Sequence, residues 1–171
     1  MTHRLPAMLF FLGASLLGGS GCALASKGRQ QAVTIASSPA GATVLVDGHE
    51  AGVTPLMTRL PRRASHRVEL RKPGFAPGSV LVHAQPNEFA HRWIRFGLDV
   101  DLGATNDLAP AALRVDLVPE PLAATTYGDA FERMSYAVLA ADTLQESGSI
   151  SATDHRDMIE KIIARYTGRS P

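Results

Sequence analysis

Four sets of residues in this chain have side chains that do chemistry elsewhere. The stretch Ala36–Leu56, "ASSPAGATVLVDGHEAGVTPL", gathers glycines at 41, 48 and 52 with prolines at 39 and 55. Glycine-rich segments cradle phosphate when Lys and Ser or Thr follow at the head of a helix, and no such residues follow here. A nucleophile elbow, G-x-S-x-G, is absent from the whole chain. Asp47 and His49 offer two metal donors, two short of a closed site, and His49 reads as a solvated turn residue. Asp99, Asp101 and Asp107 are oxygen donors, but their spacing lacks the ligand ladder and terminal glutamate of a calcium loop. Six histidines are present, and none falls into a nucleophile, base and orienter set, so neither a hydrolase nor a cofactor enzyme is expected. The glycines and prolines are then corners rather than a cradle.

Two features remain. Arg59, Arg62, Arg63, Arg67, Arg71 and Lys72 lie within fourteen residues, opposed by Glu69 alone. Such a cluster attracts an anionic envelope polymer or lipid headgroups, or it is simply a solvated loop and strand face. The other feature is Cys22, the single cysteine. It follows "MTHRLPAMLFFLGASLLGGSG", in which Arg4 flanks an apolar run from Leu5 to Leu17 and small residues come next, the order of a secretory signal over residues 1–21. The run is short of the roughly 20 residues a bilayer span needs. "GGSGC" resembles the lipobox of bacterial lipoproteins, with Ser20 and Gly21 in pattern and Gly19 where that family usually has leucine. "ALA" at Ala23–Ala25 supports the competing cleavage before Ser26, which would release a soluble protein. A lone exported thiol has no disulfide partner, which favours lipidation of Cys22. In lipoproteins, Ala23 rather than aspartate after the cysteine implies sorting to the outer membrane.

With Arg4 gone, sixteen basic and sixteen acidic side chains remain. A neutral exported chain is not expected to bind nucleic acid. Its length allows one core of moderate size and an appendage.

The elements that must position these residues read as follows. "ALASKGRQQ" is small and polar, a tether over 22–31. In "AVTIA" and "ATVLV", Val33 and Ile35, then Ala42, Val44 and Val46, alternate as strand faces. Asp47-Gly48 is a hairpin turn pair, and Leu56 and Leu60 plug the core. "HRVELRK", "KPGF" and "SVLVHA" add a strand, a turn and a further strand, with His66 a structural residue.

This ordered set resembles the PEGA domain, a small β-sandwich module of envelope proteins. The family's S-x-P-x-G-A-x-V pattern falls on Ser37 or Ser38, Pro39, Gly41, Ala42 and Val44. Its D-G, G-x-T-P-L, H-x-V and G-F/Y elements fall on Asp47, Gly48, Gly52, Thr54, Pro55, Leu56, His66, Val68, Gly74 and Phe75. Ala40 stands in place of the usual glutamate. The resemblance spans residues 32–84 and implies a non-catalytic binding or scaffolding module.

Ile94–Leu102 alternates strictly, and "LRVDLVP" repeats the pattern with Leu113, Val115 and Leu117 inward, so a β-hairpin extension is expected over 85–118. It is similar to a polar version of an apolar segment found in lipoproteins with this module. Trp93 reads as a packing residue rather than a sugar platform. Residues 119–128 read as a linker. Asp129 with Glu132, and Ser151 with Asp154, mark two helix starts over 129–168. Phe131, Met134, Val138 and Ala141 form one inward face, and Met158, Ile159, Ile162, Ile163 and Tyr166 the other. The segment resembles a short C-terminal helical hairpin motif, on Leu144, Gly148, Ile150, Ser151 and Asp154. The expected fold is mainly β: a small antiparallel sandwich, extended by a hairpin and closed by two helices, α+β overall.

The expected function is that of a non-catalytic envelope lipoprotein, held at a membrane by its N-terminal lipid and engaging an envelope polymer or protein. The alternative is a soluble periplasmic subunit of a transport or secretion complex, docking through the helical hairpin.

Overall fold

The computed structural model describes residues 22–90, 98–124 and 128–168. The fold is mainly β with a C-terminal helical pair, as expected. A helix α1, Cys22–Lys27, leads into β1 (Gln30–Ser38), β2 (Thr43–Val46), β3 (His49–Val53), β4 (Leu56–Pro61), β5 (His66–Lys72) and β6 (Phe75–Pro86). After α2 (Leu98–Asp101) come β7 (Asn106–Ala109), β8 (Ala112–Asp116), α3 (Glu120–Ala124), α4 (Ala130–Glu146) and α5 (Ala152–Thr167). One sheet has the order β4-β1-β8 and the other β3-β2-β5-β6-β7.

The core lies between the sheets. Val33 and Ile35 of β1 and Leu60 of β4 face Val44, Val68, Leu70 and Val82, all buried. Asp47 and Gly48, at φ 51° and 85°, make the tight β2–β3 turn that the dipeptide foretells. The two other corners brace each other. Thr54 Oγ1 accepts the Ala42 N–H at 3.0 Å and lies 2.6 Å from Ser37 Oγ, which donates to Pro39 O at 2.6 Å. Backbone bonds Gly41 N–H to Thr54 O and Thr54 N–H to Ala42 O, both 2.9 Å, complete the brace. Thr54→Val keeps the shape but strands a buried N–H. It should cost about 2 kcal/mol, read as a lowered midpoint in chemical denaturation with unchanged slope.

Three local expectations change. The tether is structured: residues 22–27 are helical, Ala23 is buried, and Lys27 pairs with Glu88 at 3.3 Å and Asp107 at 3.6 Å. The expected β-hairpin does not form in its described part, Ile94–Gly97 and Trp93 lying outside the described residues. Leu98–Asp101 is a helical turn, because four residues of alternation do not distinguish a strand from one turn of helix, and Gly103 at φ 75° reverses the chain. β7 and β8 do not pair with each other: β7 runs antiparallel to β6, and β8 parallel to β1. Only Pro110 and Ala111 separate β7 from β8, after a cis Ala109–Pro110 bond, and the chain there crosses from one sheet to the other. The linker also holds α3.

The helix caps agree with the reading. Asp129 accepts the Glu132 N–H at 2.8 Å and Ser151 the Asp154 N–H at 3.1 Å, with Gly148 at φ 73° between the helices. Ala137, Ala141, Met158 and Ile162 are buried in the same cluster as the sandwich core. Phe131 departs from the expected inward face and stands 72% exposed. Ile163 is also largely outside that cluster, so the buried stripes are narrower than the sequence suggests.

Candidate binding surface

The six clustered cations separate in space, and the sheet topology is the reason. β4 belongs to the three-stranded sheet and β5 to the five-stranded one, so the chain between them crosses the sandwich. Arg59 is exposed on the outer face of the first sheet, and Arg67 and Arg71 on that of the second. Arg71 Nη2 donates to Glu69 Oε2 at 3.0 Å.

Two of the six are used internally. Arg62 is buried, and its Nη1 donates to Gln31 Oε1 at 2.6 Å, to Asn106 O at 3.1 Å and to Asp107 Oδ1. Gln31 in turn donates to Leu108 O at 2.8 Å and accepts the Leu108 N–H at 2.9 Å. This network ties the β4–β5 turn, β1 and β7 together; Asp107, weighed as a calcium donor, is one of its acceptors. Lys72 pairs with Asp154 of α5 at 3.0 Å, both side chains mostly covered. Lys161 of α5 donates to Ser38 O at 2.6 Å and Leu117 O at 2.8 Å. Burial pushes the Lys161 ammonium below its ordinary value, against the opposing pull of Asp116 and Asp157. These two lysines clasp α5 to the sandwich, and sequence reasoning missed the clasp because its partners lie far apart in the chain.

His66 is buried, as a structural residue should be, bridging Asp47 Oδ2 at 2.6 Å and Pro61 O at 2.8 Å. Asp47 Oδ1 also accepts the Arg67 N–H at 2.8 Å. Burial acts to raise the Asp47 pKa, but the bonds from His66 and Arg67 outweigh it and hold the carboxyl below its ordinary 3.8. A carboxyl with a depressed folded pKa stabilises above the unfolded value and loses that contribution as pH falls through the folded one. Asp47→Asn should therefore flatten the acid limb of a stability-versus-pH curve below pH 3.8 and destabilise the protein at neutral pH.

Among the described residues, no group of three His, Cys, Asp or Glu is placed to hold a metal ion. Val44 is buried and Val46 packs against the core, so the glycines and prolines around them form corners over a filled interior. Among the exposed groups, arginines and a set of apolar side chains on α4 are the candidates for binding. Arg29 and Arg63 are both exposed, Arg63 following the residue whose N–H meets Arg29 O at 3.0 Å, and Arg114 of β8 shares its outer face with Arg59. On α4, Phe131, Tyr136 and Leu139 are 72%, 64% and 62% exposed, a stripe displaced from the Ala137/Ala141 face. The off-face spacing of Tyr136 and Leu139 is the signal that sequence reading passed over.

A family model of the PEGA domain matches residues 31–96, so the β module carries a PEGA domain. Neither a curated protein nor a solved structure gives a significant match to the chain.

Proposed function

We propose that this PEGA-bearing chain is a non-catalytic envelope lipoprotein, anchored by acyl chains on Cys22 and presenting its sandwich as a binding or scaffolding module. The observation that carries this reading is the closeness of two features: a signal-like segment ending at the only cysteine, and a PEGA domain that starts at residue 31, joined to that cysteine by one short helix, Cys22–Lys27. Among the described residues no helix is long and apolar enough to cross a membrane, and a lipid supplies attachment of another kind. The exposed arginines, Arg59, Arg63 and Arg67, with Arg71 beside its partner Glu69, are the groups available to an anionic envelope polymer. Metabolic labelling with a palmitate analogue should mark the wild-type protein and leave Cys22→Ala unlabelled. Equal labelling of both, or of neither, rejects the anchor.

The exposed stripe on α4 favours a second reading, a soluble periplasmic subunit docking on a larger complex through its helices. Phe131→Ser with Leu139→Ser should then abolish recovery of that complex from solubilised envelopes. Because α4 is part of the core, such surface changes test docking where deletion of the helices would test folding.

A further inference from the structure

We infer that, on a bilayer, the module stands on the pole formed by α1, the β4–β5 turn and α2, with Arg29 and Arg63 on anionic headgroups and the helical hairpin facing away. This rests on the proposed lipid at Cys22. It adds an orientation, which follows from the lack of slack between the cysteine and the fold. Ala23, the next residue, is buried, and Lys27 at the end of α1 is held by Glu88 and Asp107. One residue step spans about 3.8 Å, so acyl chains on Cys22 would bring the adjacent surface to the headgroups.

That surface is one end of the sandwich. β1 and β5 both begin there and run away from it, and β6 returns to it. At the far end Ser38, Lys72, Gly74 and Leu117 receive α5 and the turn between the helices. The seven residues of β5 alone separate the poles by roughly 20 Å. Within the near pole, Lys27 and Arg62 engage Glu88 and Asp107, and His66 engages Asp47. Arg29 and Arg63 are exposed close to α1, and among the residues whose exposure is described Glu50 and Asp101 are the other unpaired exposed acids of that end. Each arginine close to an anionic surface strengthens binding roughly fivefold. Glu50 and Asp101 offset this charge, so it is the lipid proposed at Cys22, one residue from the buried Ala23, that makes the occupant a lipid surface rather than a second protein.

The test uses the chain from Cys22 onward, which contains the whole described core, joined through its thiol to a maleimide lipid in vesicles. p-Benzoylphenylalanine replaces either Ala64, in the near turn, or Gln145, at the far end of α4, both exposed. In phosphatidylglycerol vesicles, photolysis should give lipid adducts from position 64 at least fivefold above those from 145. Equal yields, or an excess from 145, overturn the orientation. Arg29→Glu with Arg63→Glu should reduce the ratio several-fold in phosphatidylglycerol and leave it unchanged in phosphatidylcholine; an unchanged ratio in both removes the arginines from the contact. Since thiol coupling supplies the anchor, failure here is distinct from failure of lipidation in cells, which the labelling of Cys22→Ala decides.

Discussion

Gly103→Ala should lower the thermal midpoint by about 10 °C. Gly103 sits at φ 75°, and a Cβ there would lie 2.4 Å from the Arg63 backbone nitrogen and 2.5 Å from its Cα. Backbone cannot swing aside as a side-chain tip can, and the Arg62 network holds this turn from the other side. Left-handed strain of about 1 kcal/mol and overpacking of roughly 2 kcal/mol act together. Gly48→Ala is the control: its φ of 85° carries the same strain, but nothing lies within 4 Å of the added carbon. It should shift the midpoint by only a few degrees. Circular dichroism melts of the two variants check the difference, and equal shifts would mean that the turn around Arg63 relaxes freely.

Met158→Ala should cost about 3 kcal/mol and should do so for the whole protein at once. Met158 is fully buried, and its Cε covers Gly74 so closely that a Cβ on that glycine would come within 2.9 Å. Ile150 reaches the same glycine from the turn between the helices. The β5–β6 turn is thus the seat of the helical hairpin, and the Lys72–Asp154 and Lys161–Ser38 contacts fix it in register. Helical and sheet signals should therefore melt in one transition at a lowered temperature, by far-ultraviolet dichroism and by hydrogen exchange of β5 and α5. A variant in which the helices melt first over an intact sandwich would show two cooperative units in place of one. Cutting the chain before Asp129 should likewise uncover Phe75 and Leu117 and cost solubility.

The local record was legible wherever a single residue type fixes the backbone. Asp47-Gly48 meant a tight turn because both positions need positive φ, and Asp129 and Ser151 meant helix starts because their side chains satisfy free N–H groups three residues on. The alternation of Val33 and Ile35, and of Val68 and Leu70, placed those side chains in the core without reference to any partner. The PEGA pattern was readable for the same reason: its brace of Ser37, Ala42 and Thr54 joins corners close in sequence.

Pairing was not legible, because alternation says which face is buried and nothing about which strand lies alongside. "LRVDLVP" reads as the return arm of a hairpin begun at Ile94–Leu102, yet its strand β8 lies parallel to β1, and β7 just before it joins β6 in the other sheet. The six cations from Arg59 to Lys72 look like one patch, and the crossing between sheets distributes them over opposite faces, an internal network and a clasp between sheet and helix. By itself the sequence determined turns, caps, core-facing residues and the domain type, all set by local sterics and burial. Tertiary structure alone decided which charges meet solvent and where the helices sit, since both depend on contacts between segments separated by up to 123 positions, as Lys161 and Ser38 are.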